Sequence, residues 1–394
     1  MKRIGRLEKK YVNEVLNSEF RSSKSANMVS RSEKFFSDYI GTNFAIGFVN
    51  GTATLHTALE SLGVRAGDEV IVPPLTMAAT CLSVLQANAT PVFADVDIET
   101  WQISPESVRR KITPKTKAII SVALYGGSPD YYELKRAAGN IPLIEDNAEA
   151  VGTTYDGQKI GGFGEFSSYS FQSSKHLTSG EGGMLCTNSM ELADNARKIQ
   201  SLGYNGVSST QGKISKSEIQ NPNYQRHEIL GWNYRMPEIV AALVLGQTQR
   251  ANELVNIRKV IADLFFNEVN KCDWLKPQSV YPNSTHSYWA FPVLLGRNDI
   301  SWEIFVERFK LFGGKGVYAA WLLNYSEPLF ANRNLLNREE FISQENLKEY
   351  KKGLCPNAEF LQPRILAFRT NEWKKKSTHS QVEALAKTIK YFGN

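Results

Sequence analysis

Between residues 44 and 187, short apolar runs alternate with stretches of helical periodicity. Seven runs read as strands: 44–50, 69–72, 91–95, 118–122, 142–145, 167–171 and 183–187. Several are apolar almost throughout, which marks strands buried on both faces. The stretches between them keep a different period. Residues 52–62 put Leu55, Ala58, Leu59 and Leu62 on one face, and 105–112 and 131–138 read similarly. Strands covered on both sides and separated by helices predict an α/β fold with a mostly parallel seven-stranded sheet flanked by helices.

The pattern changes past the middle. After Asn233-Tyr234-Arg235-Met236-Pro237, one long helical pattern runs through Ala241, Leu245 and Leu254 toward Phe265. Beyond it, a strand-like run at 288–295 and helices at 302–312 and 381–391 predict a smaller α+β domain. A chain of 394 residues favours two domains. The expected division is 1–257, the N-terminal segment and large domain, and 258–394, the small C-terminal domain.

Composition excludes several functions. The most apolar runs fall well short of the roughly 20 residues a membrane span needs. The basic start MKRIGRLEKKYVNEVL has no apolar core of the kind a secretory signal carries. Cys81, Cys186, Cys272 and Cys355 lack C-x-x-C spacing, so no metal centre is expected and a reducing cytoplasm is. The net charge of +6 comes from 46 basic against 40 acidic residues, and its densest run, Lys374-Lys375-Lys376, reads as a solvated face. Nucleic acid and membrane are therefore not expected partners, whereas a mild positive balance suits an anionic small molecule.

Candidate chemistry gathers where the strands end. The first strand runs into Asn50-Gly51-Thr52-Ala53-Thr54 and opens a helix, either an anion cradle or a plain capped helix start. The fifth ends in Glu145-Asp146, followed by Asn147-Ala148-Glu149. An acid there is expensive unless a cation meets it, or else it is a helix cap. The sixth leads through Ser170 into SSKHLTSGEGG, where Lys175 stands among small hydroxyl residues without phosphate-loop spacing. Open α/β sheets bind ligands at this edge. A phosphate cradle, an acid for a ring N–H⁺ and a lysine able to form a Schiff base are together what pyridoxal phosphate requires.

Five ordered motifs carry a resemblance: NGTATLHTAL (50–59), GDEVIVPPLTMAAT (67–80), IEDNAEAVG (144–152), SFQSSKHLTSGEGGML (170–185) and GWNYRMPEIVAAL (231–243). With weaker matches at HSYWAFPV (286–293) and CPNAEFLQPRIL (355–366), the chain resembles the DegT-type, fold-type I, pyridoxal-phosphate-dependent nucleotide-sugar aminotransferases.

The resemblance implies that Lys175 binds the cofactor aldehyde and that Asp146 pairs with the pyridine nitrogen. Glu149 would lie near the ring 3-hydroxyl, and Thr52, Ala53 and Ser170 on the phosphate. Met77 stands where many relatives stack an aromatic ring on the cofactor. Asn233 would reach the phosphate in a neighbouring subunit, giving a homodimer with shared sites. Relatives that remove a sugar hydroxyl carry His in place of the lysine, so Lys175 points to amino transfer.

The implied reaction moves an amino group from an amino acid, glutamate for preference, through pyridoxamine phosphate to a keto sugar. A nucleotide-linked 3- or 4-keto-6-deoxyhexose, used in aminosugar, surface-polysaccharide or O-antigen biosynthesis, is the expected acceptor. Gln172 replaces a common His or Tyr and resembles relatives that aminate cyclitol ketones, which keeps that alternative open. A dehydratase and a non-enzymatic cofactor-binding regulator are the remoter alternatives. His286 reads as a substrate contact or a structural residue, His176 as loop packing, Arg235 as an interface or structural ion-pair residue or a substrate contact, and Tyr125 and Trp321 as pocket lining or core.

Overall fold

The computed structural model describes residues 2–20, 26–332, 334–336 and 338–393. Its larger sheet begins with β1 (Phe44–Phe48), β2 (Glu69–Val72), β3 (Thr90–Phe93), β4 (Thr116–Val122) and β5 (Leu143–Asp146). After a small hairpin, β6 (Thr154–Tyr155) and β7 (Gln158–Lys159), come β8 (Phe166–Ser170) and β9 (Gly183–Thr187). The seven strands lie in the order β1-β9-β8-β5-β4-β2-β3, and β9 alone runs against the rest.

Alternation along each strand explains why both faces are covered. Val70, Val72, Ala118, Ile120 and Ile144 pack against Leu55, Ala58 and Leu59 of the helix Gly51–Ser61. Their neighbours Ile71, Ile119 and Leu143 turn the other way, onto Val108 and Leu134 of the helices Pro105–Lys111 and Tyr131–Ala138. The expected strands are all present, with ends displaced by at most two residues. The shift in β5 puts Asp146 on the strand's last residue. β1 stops at Phe48, short of the expected 50, because the Val49 N–H bonds Tyr234 O and Asn50 turns to cap the next helix.

The smaller sheet is antiparallel throughout, in the order β10 (Leu275–Pro277), β11 (Ala290–Leu295), β13 (Ile365–Arg369), β12 (Val317–Ala319). Leu366 and Phe368 of β13 face Phe265, Phe305 and Phe309, while Ile365 and Ala367 face into the core that also holds Ile120 and Phe93. One strand therefore serves two cores.

The single long helical pattern beyond Pro237 is in fact two helices, Glu238–Gln249 and Ala251–Val269. The break is at Arg250 (φ −108°, ψ 11°), whose guanidinium reaches the buried Glu8 carboxylate at 2.7 Å and the carbonyls of Lys2 and Arg3. Those bonds fix the N-terminal arm across the helix junction. The second helix passes through residues 257 and 258 without interruption. Among the described residues, no helix is long and apolar enough to cross a membrane.

Candidate active site

The C-terminal ends of β5 and β8 and the start of the helix Gly51–Ser61 meet at one edge of the larger sheet. Asn50 caps that helix, its Oδ1 accepting the Ala53 N–H at 2.8 Å. The helix start lies close against β8. A Cβ on Gly51 would stand 3.1 Å from Ser170 Cβ, and one on Gly183 would overlap Asn50 O at 2.4 Å. Glycine at these two positions lets the helix N-terminus approach the strand. Thr54 Oγ1 and Ser168 Oγ then lie 2.6 Å apart across the seam. The backbone N–H groups at such a terminus favour an anion.

Asp146 is buried at the end of β5, where the Thr80 hydroxyl donates to its Oδ2 at 2.9 Å and the Ala148 N–H to its Oδ1 at 3.2 Å. Burial raises its pKa, and Glu149 adds to this; the two hydrogen bonds and the charge of Lys175 oppose it. No described cation bonds this carboxylate, because the Lys175 ammonium goes to Glu149 Oε1 at 3.0 Å. Glu149 is itself fixed by the Tyr125 N–H, 3.1 Å from its Oε2. The ammonium also lies 5.0 Å from the centroid of the Trp289 ring, a cation–π arrangement.

These groups border a cavity of ≈ 640 Å³. Of the eight predicted site residues, Thr52, Met77, Asp146, Glu149, Ser170 and Lys175 line it. Ala53 is buried behind the helix start with its amide committed to Asn50. Asn233 is exposed and away from the cavity, and its backbone bridges Ser201. Met77 is 48 % exposed and its Sδ accepts the Ala79 N–H, so it edges the cavity. Among the described lining residues, Lys175 is the one Lys or Arg.

The smaller candidates separate clearly. His286 is structural: its ring takes the Tyr288 N–H on Nδ1, faces Gln278 Oε1 with Nε2, and burial lowers its pKa to about 3. His176 is buried beside the lysine with Nε2 on Ser287 O, and burial holds it neutral. Tyr125 and Trp321 do both jobs expected of them as alternatives. They line the cavity and stack within the core, with Tyr125–Trp321 and Trp289–Trp321 centroids 5.9 and 5.7 Å apart. Gln172 borders the cavity, but its Oε1 is taken by the Ser174 amide and hydroxyl at 2.7 Å each.

Sequence reasoning missed Thr80, which stands inside GDEVIVPPLTMAAT and holds Asp146. It also missed Trp289 and Tyr318, which form a wall with Trp321. Trp289 lies in the weak motif HSYWAFPV, whereas no pattern marks Tyr318.

The arrangement fits pyridoxal phosphate: an anion-favouring helix start beside Ser170, a buried acid facing the cavity with no cation bound to it, and a lysine within the same cavity. Residues 2–356 match the DegT/DnrJ/EryC1/StrS aminotransferase family. The chain belongs to that family. This DegT/DnrJ/EryC1/StrS protein is an aminotransferase and uses pyridoxal phosphate. It is similar to GDP-perosamine synthase of Escherichia coli O157:H7, 37 % identical over 73 % of this chain and 74 % of that one. It also resembles L-glutamine:2-deoxy-scyllo-inosose aminotransferase of Streptomyces fradiae, 36 % identical over 67 % of this chain and 62 % of that one. A solved aminotransferase from Psychrobacter cryohalolentis superposes with a TM-score of 0.86, at 28 % identity over 99 % of this chain and 98 % of that one.

Proposed function

We propose that the chain transfers an amino group from glutamate to a nucleotide-linked 3- or 4-keto-6-deoxyhexose. The observation that carries this reading is the meeting of Lys175, Glu149, Asp146 and the helix start at Thr52 in one cavity. Bound there, pyridoxal phosphate supplies an aldehyde and an electron-accepting ring. Lys175 Nζ would hold that aldehyde carbon and, as the neutral amine, would be the group that moves a proton at the donor's α carbon. Glu149, 3.0 Å from that amine, would orient it and lie near the ring 3-hydroxyl. Asp146 would keep a proton on the pyridine nitrogen. Thr52 and Ser170 would hold the phosphate, with Ala53 behind them in the capped helix start, and Met77 would offer its thioether to the ring.

The similarity to GDP-perosamine synthase supports a nucleotide sugar as acceptor. The cyclitol reading keeps one observation of its own, Gln172, with the similarity to a 2-deoxy-scyllo-inosose aminotransferase. A panel of keto nucleotide sugars and free keto cyclitols, incubated with glutamate and read by mass spectrometry, decides between them. Amination of cyclitols alone would sink the nucleotide-sugar proposal. Four free cysteines support a cytoplasmic setting.

A shared site in a homodimer completes the reading. Asn233 is exposed, and Leu230 and Trp232 beside it are 83 % and 37 % exposed, an apolar surface suited to a second copy. With Lys175 as the cavity's one described Lys or Arg, a sugar diphosphate needs basic groups from elsewhere, and exposed Arg235 stands on this same segment. Asn233→Ala is expected to weaken activity through one lost phosphate hydrogen bond, about 1–3 kcal/mol. Mixed dimers of Lys175→Ala and Asn233→Ala subunits then hold one doubly damaged site and one intact site. They are expected to recover up to half of wild-type activity. No recovery in purified mixed dimers of an impaired Asn233→Ala would place Asn233 within its own chain.

A further inference from the structure

Three successive carbonyls of the lysine turn, those of Ser173, Ser174 and Lys175, meet two guanidinium groups. Arg258 Nη2 donates to Ser174 O at 2.8 Å and to Lys175 O at 2.9 Å. Arg3, on the N-terminal arm, donates to Ser173 O and Lys175 O. The other Arg258 arm, Nη1, donates to Trp289 O at 2.8 Å and Thr370 Oγ1 at 3.2 Å. Trp289 adds its indole N–H to Ser174 O at 3.1 Å, while its ring faces the Lys175 ammonium. One side chain from the helix Ala251–Val269 thus ties the turn that bears the amine to the ring that faces the amine.

Arg258 is fully buried and takes part in none of the described ion pairs. Burial, with Arg3 alongside, lowers its pKa to about 9, and Glu149 pulls the other way. A buried cation without a carboxylate partner is costly, and an apolar side chain fills such space more cheaply. What the planar fork adds is several donors in fixed directions, a geometry lysine lacks. Here those donors are spent on main-chain carbonyls of the lysine turn and on the residue under the amine.

We propose that Arg258 is a positioning residue for Lys175, with Arg3 as a second clasp. The two guanidiniums hold the backbone of residues 173–175 so that the amine stays between Glu149 and the Trp289 ring. This rests on the reading of Lys175 as the residue that takes the cofactor.

The test uses the full chain with Arg258→Met, Arg258→Lys and Arg3→Ala. One measurement is amide hydrogen exchange at residues 173–176 in cofactor-free protein. The other is the rate at which Lys175 captures pyridoxal phosphate, trapped by borohydride and mapped by mass spectrometry. Arg258→Met is expected to exchange faster and capture more slowly, each by about tenfold, the scale of one charge-assisted hydrogen bond. Arg258→Lys should recover part of the loss, and Arg3→Ala should show a change of about threefold. Wild-type exchange and capture in Arg258→Met and Arg3→Ala would overturn the proposal. Should the Arg258 variants fail to fold, Arg3→Ala, on a half-buried arm, decides alone, and unchanged exchange and capture there overturn it. A wild-type protein that captures no cofactor on Lys175 sinks the reading of the lysine instead, while the exchange measurement still judges the clasp.

Discussion

Lys175→Ala is expected to lower turnover by roughly 10⁴-fold, the upper range for loss of a positioned acid–base group. The lesion removes the attachment point and the proton carrier together, so saturating cofactor restores neither. Borohydride treatment of the variant should leave no cofactor-bearing peptide, whereas wild type carries one at 175. Folding should survive, because the lysine backbone is held through its carbonyl by Arg3 and Arg258 and not through its side chain. Some stability is lost all the same. Glu149, buried, keeps the Tyr125 N–H but loses its cation, an uncompensated charge that costs about 3–5 kcal/mol. Retention of a hundredth of wild-type turnover would assign the proton transfer to another group.

Asp146→Asn is expected to cost about 10²–10³-fold in turnover, as removal of one preorganised charge does elsewhere. The amide matches the carboxylate in size. Its oxygen can keep the Ala148 N–H, and Thr80 can turn its hydroxyl to accept from the amide nitrogen. Cofactor should therefore still bind, while the pyridine nitrogen loses the anion that keeps it protonated. Cofactor-free protein reads the same charge in the opposite sense. Burial raises the Asp146 pKa, so ionising it in the fold costs stability once pH climbs past the unfolded carboxylate range. The neutral amide removes that cost, and the cofactor-free variant should melt higher than wild type near neutral pH and no higher in acid. Turnover within threefold of wild type would show that another residue serves the ring.

The larger sheet was readable because both of its faces are buried. Runs such as Val70-Ile71-Val72 announce that, and the helices between them keep the 3.6-residue period. The cavity was readable for a related reason. Asp146, Ser170 and Lys175 lie at or just after strand ends, so finding the strands finds the edge where ligands bind. What stayed hidden depends on contacts between distant stretches. Arg258 sits in an ordinary helical pattern, and only folding puts its guanidinium on carbonyls 83 and 84 residues away. β12 is three residues long and defined by pairing with β13, so Tyr318 carries no local signal. The break at Arg250 is equally silent in periodicity, since the apolar face resumes at Leu254 and the cause lies in Glu8 and the N-terminal arm.

The cavity's two walls come from different stretches of the chain. Thr52, Asp146, Glu149, Ser170 and Lys175 come from the first 175 residues, set on β5, β8 and a capped helix that any displacement would spoil. Trp289, Tyr318 and Trp321 come from around the smaller sheet: Trp289 directly before β11, Tyr318 within β12 and Trp321 two residues past it. Of the three, Trp289 is tied to the first wall through the Ser174 carbonyl and the Lys175 ammonium, which leaves Tyr318 and Trp321 the freer positions. Exchanges at Tyr318 and Trp321 are therefore where a new taste in acceptors could arise with the chemistry of the first wall kept.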